Sequence, residues 1–410
     1  MKASLANWRN SRIKHLARID YGLGQPPRLS ESGVPILRAT NINRGKISEA
    51  GLIYASLGDL PLDRAPLLKS GEILVVRSGA YTGDSALITD KWAGSAPGYD
   101  LRITPERVEP RYLAYCLLSS VAMQQMDIAK ARAAQPHLNA EELGEVTVGL
   151  PEPSEQRRIA DFLDAETSRI DHLYTTRRNQ TKLLDERLDA VRNNLFADSR
   201  KESAGVPLMY LTDPARPIVY GIVQAGPEIP GGVPYIKTGD LPELKLDTLS
   251  RTSSEIHAQY RRAAVRPGDI VMAMRASIGT VAMVPRELAE ANLTQGTARI
   301  APASNVDRKW LFHALQTRAV REQCEVRAVG STFRTLNIWD LRRVLIRWAP
   351  IDEQSKIADR FELELSHHDK LRSATQRQLK LLALRRQALI TAAVTGQIDV
   401  STASGRGIEE

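Results

Sequence analysis

The side chains best suited to chemistry with a partner stand in two aligned stretches, ARAAQPHLN at 131–139 and VGSTFRTLN at 329–337. Both end in Leu-Asn, and at neighbouring positions Arg132, Gln135 and His137 stand against Ser331, Thr332 and Arg334. Glutamine can bond an adenine edge through two atoms and arginine a guanine edge, while serine and threonine suit bases or phosphate. Two further pairs of loops behave alike. After a Val-Pro turn, Arg38 and Asn41 face Lys237 and Asp240; after an apolar run, Arg77, Ser78 and Tyr81 face Arg275 and Ser277. For each of these residues, a solvated loop position or a salt-bridge partner is the plain alternative. Arg102 and Arg299, matched and set beside apolar residues, read as structural groups or phosphate contacts.

Catalytic motifs are missing. No G-x-x-x-x-G-K-[ST] phosphate loop occurs, and YGLGQPP (21–27) reads as a turn, not a nucleotide site. The [DNS]-P-P-[YF] tetrapeptide of amino-methyltransferases is absent. DLPELK (240–245) holds an acid-x-Lys pair of the nuclease kind, but the matching NINRGK lacks the acids. His367 and His368 fall on a helix and read as solvated, and Cys116 and Cys324 are unmatched, which points to no metal site, no disulfide framework and a reducing cytoplasm. No apolar run is long enough to span a membrane. A net charge of +8 favours a polyanionic partner.

The elements that must position these residues come in duplicate. Sliding the sequence on itself by about 198 residues aligns it along nearly its whole length. Tyr21-Gly22 meets Tyr220-Gly221, LKSGEILVVRSGAYTG (68–83) meets VRPGDIVMAMRASIG (265–279) with one residue fewer, and RYLAYCL (111–117) meets KWLFHAL (309–315). Each copy begins with short apolar runs broken by Gly and Pro. ILVVR (73–77) and IVMAM (270–274) predict buried strands, and 111–126 predicts one amphipathic helix, together an α+β domain. Each copy ends in a long stretch free of Pro and Gly, opening SEQRRIADFLD at 154 and DEQSKIADRFE at 352. Ser154 and Asp352 suit the cap position, and Gly396 suits a helix stop. Ile159, Leu163, Ile170, Leu173, Leu184, Leu188, Val191 and Leu195, with Ile357, Phe361, Leu371, Leu382 and Leu389, form a stripe suited to an antiparallel coiled coil of two helices roughly 60 Å long. The boundaries predicted are a globular domain at 1–152, a helix at 153–200, a second domain at 201–350, a helix at 351–397 and a tail at 398–410. Glu155, Gln156, Glu353 and Gln354 are the repeated polar words at the helix starts, suited to capping or to subunit docking.

This plan resembles the specificity subunit of type I restriction-modification systems. The resemblance rests on PSEQRRIADFLDAETSRID (153–171), IDEQSKIADRFE (351–362), QTKLLDERLDAV (180–191), QLKLLALRRQALITAAVTGQID (378–399) and the VRSGAYTG and MRASIG turns, and covers essentially the whole chain. Copy two departs at Arg360, where copy one has Phe162, and at His367-His368, where copy one has Arg169-Ile170. The resemblance implies two target recognition domains related by a pseudo-twofold, each reading half of a split double-stranded DNA target, with the helices as spacer and docking site for two methyltransferase subunits. It implies a non-catalytic chain, with S-adenosylmethionine, ATP and Mg2+ on the methyltransferase and restriction-translocase partners. The competing readings are a stand-alone methyltransferase or nuclease with an unrecognised site, and a coiled-coil scaffold that does not act on DNA.

Overall fold

A glycine-acid turn launches the central strand of each copy. In the computed structural model, which describes residues 8–130, 137–197, 205–330 and 334–400, strand Ile73–Val75 is buried on both faces. Successive side chains of a strand point to opposite faces, so Ile73 and Val75 enter one apolar core while Leu74 and Val76 enter another. That is why the run is apolar throughout instead of alternating. Copy two repeats the arrangement, with Ile270, Met272 and Met274 on one side and Val271 and Ala273 on the other.

The main sheet of copy one is antiparallel in the order Ala17–Tyr21, Leu101–Pro105, Ile73–Val75, Ser85–Leu87. Copy two has Val219–Tyr220, Thr297–Ile300, Ile270–Ala273, Val281–Met283 in the same order. A smaller sheet in each copy contains a parallel pair, Val34–Leu37 with Ala96–Pro97 and Val233–Ile236 with Asn292–Leu293. The helix expected over 111–126 is two helices, Pro110–Leu118 and Ser120–Lys130. Ser119 takes extended backbone between them, and its hydroxyl bonds Cys116 O and receives Ala122 N–H, a local competitor to helix hydrogen bonding.

The acid of the launching turn is structural. Glu72 accepts Lys69 N–H (2.7 Å), and its other oxygen accepts from Arg102 (2.5 Å) and Thr104 (3.0 Å). Arg102 also donates to Pro66 O at 2.8 Å. Arg299 donates to the carbonyls of Arg262, Ala264 and Pro217. Both arginines are buried, at 4% and 3% exposure, and their terminal nitrogens donate inside the protein, which removes the phosphate reading.

The long helices run Pro153–Ala197 and Ile351–Val394. Proline sits at the first helical position, where its missing N–H costs nothing, so Ser154 lies within the first turn, and Glu152 O receives the Glu155 and Gln156 amides. Asp352 likewise lies inside its helix. Glu155 in the first helix and Asp352 and Glu353 in the second still suit the positive helix ends. Gly396, at φ +68°, closes the second helix with Gly396 N and Gln397 N bonded back to Ala393 O and Ala392 O.

The chain divides into two compact units, Met1–Arg178 with Gln376–Glu410, and Asn179–Thr375. In the first, Ile159 and Leu163 pack with Tyr112, Leu117, Ile390 and Val394 in one core, Ile170 is buried, and Asp171 pairs with Arg386 (3.4 Å) and Lys46 (2.8 Å). In the second, Phe196, Ala358 and Phe361 join Trp310 and Leu311, and Asp185 faces His368 (2.9 Å) and Arg372 (3.4 Å). The helix segments run antiparallel within each unit. The stripe is not continuous: Leu173 and Leu371 are about half exposed, while each helix start is buried against its own globular part. His368 is buried and bonded to Asp185 and Asp369, not solvated as its sequence context suggested; His367 is exposed.

Candidate nucleic-acid interface

In the first unit, the sheet delivers an arginine between aromatic side chains at the surface. Tyr21 ends its strand opposite Leu101. Gly22 follows because a Cβ there would lie 2.1 Å from Gly98 O, so only glycine lets the 98–100 segment lie this close. Tyr99 and Tyr21 thus come together, 51% and 45% exposed. The Arg77 guanidinium carbon lies 4.6 Å from the Tyr99 ring centre and 4.7 Å from that of Tyr21, within cation–π range. Arg77 Nε donates to His137 Nε2 at 3.3 Å, and Ser78 pairs with His137 in an isolated antiparallel bridge. Buried Asp100 accepts the amides of Arg77 and Ala39, joining the 77 turn to the 38–41 loop.

The second unit uses the same backbone in a shifted register. Arg102 lies opposite Leu74, and Arg299 opposite Val271. Leu138 N bonds Arg77 O, and Leu336 N bonds Met274 O, both at 2.9 Å. Arg77 therefore corresponds to Met274, which is fully buried, and Ser78 to Arg275, whose bridge to Thr335 matches that of Ser78 to His137. The pairing of Arg77 with Arg275 expected from sequence is corrected: the turn of copy two is one residue shorter, and its arginine emerges one step later. Gly296 stands where copy one has Tyr99. Arg275 and Ser277 are exposed. Arg334 folds back to donate to Glu325 O and Ala328 O, carbonyls at the end of helix Arg318–Arg327. Trp339, 65% exposed, carries Arg343 against its ring at 3.1 Å.

A duplicated scaffold with unlike surface groups at one backbone position is what two readers of different words require. The profile of the type I restriction modification DNA specificity domain matches residues 6–182 and 226–380. This chain belongs to that family. Among its curated relatives, the type I restriction enzyme EcoBI specificity subunit of Escherichia coli is 25% identical over 64% of this chain and 60% of its own length. The putative MjaX specificity subunit of Methanocaldococcus jannaschii is 24% identical over 97% of this chain and 95% of its own. In fold, the chain is similar to one solved in work on assembly of the type I R-M system (TM-score 0.74, 19% identity, 96% of this chain and 100% of that one). It is also similar to the HsdS subunit of Thermoanaerobacter tengcongensis (TM-score 0.53, 19% identity, 96% and 98%).

Within the two specificity domains, the expected readers sort by what their atoms already hold. Asn41 is fully buried: its oxygen accepts Arg38 N–H and its amide donates to Ser48 O and Ala50 O, so it locks the loop and has nothing left for a base. Asp240 accepts Lys237 N–H (2.7 Å) in the matching 3-10 turn. Arg38 is half-buried and donates to Gly51 O, whereas Lys237 is exposed and donates to Ser250. Tyr81 is 51% exposed. Arg132, Gln135, Ser331 and Thr332 lie outside the described residues.

The doubled helix-start words also resolve. Gln156 accepts Glu109 N–H (2.9 Å) and donates to Pro151 O (2.8 Å); Gln354 accepts Asp307 N–H (2.8 Å) and donates to Ala349 O (2.7 Å). At 2% and 0% exposure neither can dock a partner, which corrects that reading. Each clips a long helix to the start of the shorter helix packed on it. Glu155 is half-buried and pairs with Arg158, and Glu353 is exposed. Sequence reasoning missed Tyr21 and Tyr99 as site residues, although Tyr-Gly in both copies was a signal for the first.

Burial pushes the Asp100 carboxyl up to about 6, against the lowering effect of the Arg77 and Ala39 amides. The folded state then binds this proton more tightly than the unfolded chain does. The group's contribution to stability is full below the ordinary carboxylate range and is lost as pH rises through about 6. Asp100→Asn, which keeps an acceptor, is expected to exceed wild type in stability at pH 8 by roughly 2–3 kcal/mol and to match it near pH 4. Urea unfolding at the two pH values reads the difference; a variant weaker than wild type at pH 8 sinks the assignment.

Proposed function

We propose that this chain is the non-catalytic, sequence-specific DNA-binding subunit of a type I restriction-modification complex. Each specificity domain reads one half of a bipartite duplex target, and the long helices set the spacing and dock two methyltransferase subunits. S-adenosylmethionine, ATP and Mg2+ belong to the methyltransferase and restriction-translocase partners. The observation that carries this reading is one bridged backbone position, on a shared scaffold, presenting Ser78 with His137 in one unit and Arg275 with Thr335 in the other. The docking role is supported by apolar side chains left exposed on the helices, among them Leu173, Leu381 and Leu384 in the first unit and Leu183 and Leu363 in the second.

With its basic surplus, the chain, assembled with methyltransferase partners, is expected to lose affinity for target DNA by about 1,000-fold or more between roughly 50 and 200 mM salt, as about six phosphate contacts would give. Fluorescence anisotropy across a salt series checks this; salt-insensitive binding points to a scaffold that does not act on DNA. Adenine methylation by the chain alone, supplied with S-adenosylmethionine, would overturn the non-catalytic reading.

A further inference from the structure

We propose, resting on the reading of this chain as a DNA specificity subunit, that Arg77 reads a guanine in the half-site recognised by the first unit and that Tyr21 and Tyr99 hold it in the reading pose. Three observations carry this. The Arg77 side chain is oriented from three sides, by the two tyrosine rings and by the Nε–His137 hydrogen bond. That bond occupies Nε and, among the described residues, no hydrogen bond or ion pair occupies the two terminal nitrogens. These form the fork that matches O6 and N7 of guanine in the major groove. Second, both rings are about half exposed, so the fork is offered at the surface instead of being sealed in a core.

Third, the clamp belongs to one copy only. The main sheet, the buried arginine and the glutamine clip recur in both units, as parts of a common scaffold should. At the clamp, copy two has buried Met274 for Arg77 and Gly296 for Tyr99, and its Arg275 leaves the backbone one residue later. Of the three clamp residues, copy two keeps only a tyrosine, Tyr220, whose hydroxyl bonds Leu336 O. A structural ornament needed for folding would be common to both units. A side chain that differs while its surroundings are held constant is a reader. An arginine already fixed by stacked rings loses little freedom on binding, so its hydrogen bonds translate into discrimination and not into ordering.

The test maps methylated adenines in cells carrying the complete system with wild-type chain, Arg77→Ala, Tyr99→Ala and Arg275→Ala. Wild type is expected to give one bipartite motif with an invariant G·C pair in one half. Arg77→Ala is expected to relax that pair by about 5- to 150-fold in preference, the range of one bidentate contact, and to leave the other half unchanged. Tyr99→Ala is expected to relax the same pair less, and serves if the Arg77 variant does not accumulate. Arg275→Ala leaves this pair intact. Uniform loss of methylation with an unchanged motif, or relaxation at an A·T pair, overturns the proposal. If the motif does not change when this chain is exchanged for another specificity chain, the functional reading itself fails, and that outcome is distinct from the first.

Discussion

Glu72→Ala is expected to destabilise the first unit by about 3–5 kcal/mol, because it strands a guanidinium in the core. Arg102 and Glu72 have side chains only 4% and 5% exposed, and the carboxylate also holds Lys69 N–H and the Thr104 hydroxyl. Removing it leaves Arg102 with carbonyl partners and no counter-charge, in surroundings where water cannot compensate. For a unit of this size the melting temperature should fall by roughly 6–20 °C. The double variant Glu72→Leu/Arg102→Met should recover part of the loss, since an apolar pair does not carry the desolvation penalty. Asp269→Ala in the second unit is the informative contrast. Asp269 pairs with Arg216 through two bonds, but that arginine is 20% exposed and can turn to solvent, so the cost should be smaller. Equal losses in the two units would contradict this account of the pair.

Gln156→Ala is expected to cost about 2–4 kcal/mol, and Gln354→Ala about 1–3, through unsatisfied backbone groups and not through lost apolar area. Each glutamine amide satisfies one backbone N–H and one backbone C=O beside the helix start. Gln156→Glu should be at least as damaging as alanine: the acceptor survives, but the donor to Pro151 O becomes a carboxylate facing a carbonyl. Hydrogen exchange provides a local readout. The first turns of the long helix and of helix Pro110–Leu118 should open together in the Gln156 variant while the second unit keeps its protection. If exchange rises evenly across the chain, the clip is not what joins these elements.

Much of the architecture was legible in the residues. The offset repeat showed two copies, the apolar runs after Gly-Glu and Gly-Asp marked the central strands, and the Pro- and Gly-free stretches marked the long helices. These features depend on local periodicity and chain punctuation, which sequence carries directly. The candidate interface was legible only in part. Arg77, Ser78 and His137 were picked out separately, and their association needed a bridge between residues about 60 positions apart.

What only the tertiary structure decided was which polar side chains are free. Asn41 and Gln156 look on paper like surface residues, and both are consumed by backbone groups folded around them. Arg102 lies on one strand of the main sheet and Arg77 just beyond the neighbouring strand, yet one is sealed among carbonyls and the other is offered between two rings. The one-residue difference between the turns is visible in the sequence, but its consequence is not. Strand pairing fixes the register, and in that register buried Met274 takes the place of Arg77 while Arg275 takes that of Ser78. Repeat and helix length therefore determined the plan, and the motifs matched by the specificity-domain profile determined the family. Hydrogen-bond satisfaction and strand register, which exist only once distant segments meet, decided which polar side chains remain free at the surface.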